Sequence, residues 1–272
     1  MAGSPSICAS SFDLYWAFYD YTEALSRSGW AWEFLRRHPD FQRAAKGETN
    51  RPNIAQERLG TTVFSLARPV KTAEAWGLRF FPDPGMPGGV TPIFWSQNLY
   101  RGSLLARTTS QASNDNAPFH LADIPGRRAL LLTPDGQAQL AIEAHSFSAL
   151  IKFDHAPSAP PDTLTLAIEH GGIEELDARL RALRAFIDYC QQRFHPSPPE
   201  RGFAPQRLKE SLLALDGKLA GASLRQIAEL LFGADCVRKD WNEGSRYTRE
   251  RTRRAVCRGL QLMDGGWRSL LI

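Results

Sequence analysis

Six arginines, Arg246, Arg249, Arg251, Arg253, Arg254 and Arg258, fall within thirteen residues that hold a single acid, Glu250. Guanidinium groups at that density call for an anionic partner. Each planar fork can neutralise a backbone phosphate or grip guanine O6 and N7 in the major groove of a duplex. Tyr247 shares the stretch, and Arg225 stands in the helix pattern just before it. The expected DNA-contacting residues are therefore Arg225, Arg246, Tyr247, Arg249, Arg251, Arg253, Arg254 and Arg258.

Nothing in the chain offers a competing chemistry. The histidines at 38, 120, 145, 155, 170 and 195 form no HExxH pair, and neither GxSxG nor GxxxxGK[ST] occurs. Cys8, Cys190, Cys236 and Cys257 include no CxxC and no histidine at ligand spacing, which argues against a zinc site and a disulfide framework. No catalytic residue, cofactor site or metal site is expected, and the chain reads as a non-enzyme. Glu174, Glu175 and Asp177 sit at a helix start, where carboxylates complement the macrodipole.

The net charge of +4 is unevenly spread. Residues 201–272 hold fourteen Lys/Arg and eight Asp/Glu, or +6, which leaves −2 for residues 1–200. A basic nucleic-acid module attached to a near-neutral body fits that asymmetry. The 272 residues, 43% of them hydrophobic, suffice for one large or two modest domains. No apolar run reaches the length of a membrane span, and the first residues lack a signal-peptide pattern, so a cytoplasmic location and no membrane partner are expected.

The elements that must position the arginines are legible as helices. A proline- and glycine-rich break at 195–204 separates an N-terminal region, 1–194, from a helical DNA-binding domain, 205–272. Within the latter, Pro205–Leu219 carries a leucine stripe, and Ser223 caps a short helix Leu224–Phe232 that stops at Gly233. That short helix suits the first arm of a helix-turn-helix. The connection Ala234–Gly244 reads as long, with room for an extra turn near Asp235–Trp241. A last helix from Ser245 to Met263 places Thr252, Val256, Leu260 and Met263 inward and its arginines outward. Trp267 is expected to pack back on these three helices.

Upstream, Phe12–Leu25 and Gly29–Lys46 read as helices, the second interrupted at His38-Pro39. Their aromatic rings, Tyr15, Trp16, Tyr19, Trp30 and Trp32, suit either a core or a subunit interface. Val63–Trp95 reads as short strands and turns, and Arg107–Pro118 as a loop. Arg128–Leu132 and Gln137–Glu143 form a hairpin about Thr133-Pro134-Asp135-Gly136. Thr163–Glu169 is a further strand, followed by an amphipathic helix Ile173–Arg193. The fold class is α+β: N-terminal helices plus a small antiparallel β region, then an all-helical, helix-turn-helix-like domain.

The run Leu215-Asp216-Gly217-Lys218-Leu219-Ala220-Gly221-Ala222-Ser223, with Ile227-Ala228, Leu231-Phe232-Gly233, Trp241, Arg251-Thr252-Arg253-Arg254, Arg258-Gly259 and Met263-Asp264-Gly265-Gly266-Trp267, resembles the DNA-binding domain of RovC-like transcription factors. The same domain type occurs in FseA-like excision activators and QseM-like antiactivators of integrative and conjugative elements. Residues 30–41, with Trp76-Gly77-Leu78 and Asp83-Pro84, look like the regulator-like region that accompanies it. The resemblance implies a bacterial regulator of a type VI secretion or mobile-element operon that binds double-stranded promoter DNA. It further implies an activator and a homo-oligomer of hexameric type; RNA polymerase is a candidate partner for a chain with that role. Antiactivator members are short, and the 200 residues upstream here depart from them. The alternative is a protein-interaction antiactivator that sequesters another regulator without touching DNA.

Overall fold

In a computed structural model, the structure describes residues 16–100, 102–107, 119–167, 173–191, 203–242 and 246–271. Two compact units emerge, and each is assembled from segments distant in sequence. Among the described residues one unit takes 25–191 and 266–271, and the other takes 16–24 and 203–265.

The first is the sheet unit. It begins with α1 (Arg27–Leu35), capped by Ser26, whose Oγ accepts the Gly29 amide at 3.2 Å. Every residue of α1 from Ser28 onward is buried, so this helix has no solvent face and serves as core. Pro39 cannot extend it, and α2 (Pro39–Gly47) restarts with His38 as the cap. Strands β1 (Asn53–Arg58) and β2 (Thr61–Ser65) precede a single helical turn, α3 (Lys71–Glu74). There follow β3 (Leu104–Arg107), β4 (Phe119–His120), β5 (Arg127–Leu132), β6 (Ala138–Ala144), β7 (Phe147–Phe153), β8 (Thr163–Ala167) and α4 (Ile173–Cys190).

The eight described strands form one sheet in the order β1-β2-β5-β6-β7-β3-β8-β4. The β region is thus neither small nor purely antiparallel, which corrects the sequence expectation. β2 runs parallel to β5 and β3 parallel to β7, while the other pairs are antiparallel. Parallel pairing joins strands far apart in the chain, so local alternation could not reveal it. The β5–β6 hairpin turns where expected, with Gly136 at φ +74 and Thr133 N–H bonded to Gln137 O at 3.0 Å. On one sheet face Phe186 of α4 packs among Leu130, Leu140, Ile142 and Ile151. Phe64, paired with Leu131 and hence on the opposite face, meets Phe80 and Phe94 at ring separations near 6 Å (6.2 and 6.1 Å).

Trp267 belongs to this unit as well. It is fully buried and stacks on Trp95 at 5.3 Å, and Trp95 in turn donates to Ser28 Oγ at 3.3 Å. The expectation that Trp267 closes over the C-terminal helices is therefore overturned: the chain turns at Gly265 (φ +101) and its last 3-10 turn, Gly266–Leu271, lies against α1.

The second unit is helical: α5 (Pro205–Leu219), α6 (Leu224–Phe232), α7 (Ala234–Asn242) and α8 (Tyr247–Met263). Leu213, Ala214, Ile227, Leu231, Ala255 and Val256 form its centre. Residues 16–24 cover α5. Trp16 Nε1 donates to Leu230 O at 3.1 Å, Tyr19 Oη donates to Asp216 at 2.6 Å, and buried Lys209 pairs with Asp20 (2.8 Å) and Glu23 (3.2 Å). That segment ends in a 3-10 helix, Asp20–Ala24, in place of the α-helix expected to Leu25. Trp16, Tyr19, Trp30 and Trp32 are all used in packing within the chain. The expected positions 12–15, most of the Arg107–Pro118 loop and the 195–202 part of the break lie outside the described residues.

No helix among the described residues is long and apolar enough to cross a membrane.

Candidate nucleic-acid interface

The arginine-bearing helix α8 is held against α5 by a close backbone crossing. A Cβ placed on Gly259 would stand 2.5 Å from the Ser211 carbonyl oxygen and 2.9 Å from Leu215 Cβ, so only glycine permits this approach. The buried arc comprises Thr248, Thr252, Ala255, Val256, Gly259 and Met263, with Leu260 half-buried. It is wider than the expected Thr252/Val256/Leu260/Met263 stripe and is centred on the small residues that let α5 in.

The arginines take the remaining arc, but in two different states. Arg246, Arg249, Arg254 and Arg258 have no ion pair among the described residues. The others are engaged. Arg251 Nη2 lies 2.5 Å from Glu210 Oε1 of α5, and its guanidinium sits 5.0 Å from the Phe232 ring centroid. Arg253 pairs with Glu250 at 3.0 Å, and Arg225 with Glu229 one turn along α6 at 3.2 Å. Tyr247 is 68% exposed at the start of α8. Between α5 and α8 runs a cleft of about 700 Å³ in which Arg207, Arg246, Arg251, Arg254 and Arg258 outnumber Glu210 and Glu250. Its excess positive charge suits a chain of phosphates. Arg207 escaped sequence reading because its neighbours in α5 spell a packing stripe.

A second feature extends the extra turn expected near Asp235–Trp241 into a full helix. The residues expected to form a long connection are helical: α7 fills Ala234–Asn242, and only Gly233 separates it from α6. Ser223 accepts the Gln226 amide at 3.3 Å while Gln226 Oε1 accepts the Ser223 amide at 2.8 Å, a reciprocal cap that fixes where α6 begins. Gly233 ends it at φ +84, ψ 148, a conformation open to glycine and closed to L side chains. Its N–H bonds to Glu229 O at 3.0 Å, and its own carbonyl accepts the Val237 amide at 3.2 Å. One residue closes one helix and opens the next. Val237 is fully buried, whereas Arg238 and Lys239 beside it are exposed. The signal available in the sequence was Val237 four residues past the glycine.

Residues 168–271 match the family described as the T6SS transcription factor DNA-binding domain, RovC type. The chain carries a RovC-type DNA-binding domain. Residues 16–81 match the proteobacterial transcriptional regulator-like domain, which precedes the RovC-type domain in this chain. Both are transcription-factor domains, so the protein is not an enzyme. No curated protein matches the chain. Neither match coincides with a compact unit: the RovC-type match includes α4 and the buried Trp267 of the sheet unit, and the regulator-like match begins with residues 16–24 of the helical unit. Among the described residues no group of His, Cys, Asp and Glu could hold a metal ion.

Proposed function

We propose that the protein is an activator of transcription that binds double-stranded promoter DNA of a type VI secretion or mobile-element operon through its RovC-type domain. The observation that carries this reading is the set of arginines at the start of and along α8, Arg246, Arg249 and Arg254 exposed and Arg258 half-buried, that have no ion pair among the described residues, in a chain whose family match is a DNA-binding domain. An unpaired exposed guanidinium gives up only water on meeting a phosphate. Arg225, Arg251 and Arg253 belong to the proposed surface in a second role. Their glutamates hold them oriented, and the pairs open or bridge as DNA arrives. Tyr247, exposed along the cleft and hydrogen-bonded with Arg251, adds a hydroxyl donor to a phosphate.

In this reading residues 1–194 serve assembly and regulation, 195–204 joins them to the DNA-binding residues 205–272, and the working form is a homo-oligomer that contacts RNA polymerase. Genomic fragments retained by the full chain are expected to be enriched for sequence upstream of type VI secretion or mobile-element genes. Adding the protein to RNA polymerase on those fragments is expected to raise transcript yield. Retention without enrichment, or a fall in transcript, would overturn the activator assignment, and failure to retain any duplex would point to the antiactivator instead.

A further inference from the structure

We infer that α7 is the helix that reads base sequence, and that Arg238 and Lys239 are specificity-determining residues. The inference rests on the DNA-binding reading above and adds to it a division of labour. Two nine-residue helices joined through one glycine, the first capped at Ser223 and the second anchored by buried Val237, form a consecutive helix pair of helix-turn-helix type whose turn is shorter than the usual three or four residues. In that motif the second helix lies in the major groove while its neighbours touch the backbone. Gly233 supplies the sharp change of direction, and its positive φ explains why no other residue type could stand there.

The charge on α7 is placed to match. At about 100° per residue, Arg238 and Lys239 point roughly 100° and 200° away from Val237, onto the side that does not pack. Both are exposed. Asp235, one turn earlier and itself exposed, holds the Arg238 guanidinium at 3.3 Å, which orients the fork without burying it. An arginine so held matches the paired acceptors of guanine. By contrast Arg251 of α8 is tied down by Glu210 and Phe232 of neighbouring helices, and Arg246, Arg254 and Arg258 line a cleft whose excess positive charge suits phosphates. Thus α8 positions and α7 specifies.

The test uses the full chain and two probes: a pool of duplexes with a randomised core, from which the protein selects a consensus, and one fixed duplex of mixed sequence. Arg238→Lys keeps the charge and loses the two-pronged contact. It is expected to lower affinity for the selected consensus roughly 5–150-fold, to reduce affinity for the fixed duplex no more than about threefold, and to erase base preference at one or two positions. Lys239→Ala should relax preference at a neighbouring position. Arg254→Ala should weaken both probes alike and leave the consensus intact. If Arg238→Lys and Lys239→Ala select the wild-type consensus with the wild-type ratio of affinities, α7 does not read sequence. If the wild-type chain binds neither probe, the DNA-binding reading itself fails, and this inference with it.

Discussion

Replacing Glu33 with Ala is expected to destabilise the sheet unit by about 3–5 kcal/mol, the cost of leaving buried cations without their carboxylate. Glu33 lies on α1 with no solvent exposure. Its Oε2 stands 2.8 Å from Arg36 Nε and 2.6 Å from Arg37 Nη1, while Oε1 accepts the Gly88 amide at 2.6 Å. One side chain therefore neutralises two largely buried guanidinium groups and pins the 83–90 segment to the helix. Burial alone would raise its pKa, but Arg37 and Arg36, with the Gly88 amide, outweigh that and leave it below the ordinary 4.5. A lowered folded-state pKa means that the stabilisation is complete above about pH 4.5 and is lost as pH falls through the folded value. Thermal unfolding followed by near-ultraviolet circular dichroism should show a lower midpoint for Glu33→Ala at pH 7 and a smaller difference from wild type toward pH 3. Equal midpoints at pH 7 would show that the network contributes nothing.

Gly259→Ala is expected to destabilise the helical unit by about 2–3 kcal/mol, although alanine in place of glycine would otherwise stabilise a helix by about 1 kcal/mol. The added methyl would meet the Ser211 carbonyl oxygen at 2.5 Å, which is backbone and unable to swing aside. α5 and α8 must separate, which opens the centre around Leu213, Ala214 and Val256. Denaturant unfolding followed by far-ultraviolet circular dichroism checks this. A midpoint at or above that of wild type would mean that the two helices do not cross at Gly259.

What could be read from the sequence was local. The Thr133–Gly136 turn, the Ser223 cap, the Gly233 stop and the leucine stripe of α5, buried at Leu208, Leu212 and Leu215 but exposed at Leu219, each rest on residues within a few positions of one another, and each element stands close to its expected limits. Helix α7 was legible only as an extra turn near Asp235–Trp241, because Gly233, read as a stop, is also its start, and because only Ala234, Val237 and Trp241 carry its apolar pattern. The breadth of the sheet was hidden because β2 finds β5, and β3 finds β7, across intervening chain. The partners of Trp16, Tyr19 and Trp267 were hidden for the same reason: each packs on residues far away in sequence, Leu230, Asp216 and Trp95 respectively. The arginine cluster was visible from composition alone. Which arginines are already spoken for was not, since Glu210 reaches Arg251 from another helix.

The most direct test of the DNA-binding account is the salt dependence of duplex binding by the full chain and by its Arg246→Ala, Arg249→Ala, Arg254→Ala, Arg258→Ala quadruple variant. All four lie off the buried arc, so the helical circular dichroism should be unchanged. If each neutralises one phosphate, the variant's slope of log K against log salt should be shallower by about 3.6, at about 0.9 per contact. Wild-type affinity and wild-type slope in the quadruple variant would contradict the account and remove α8 from the DNA-binding surface.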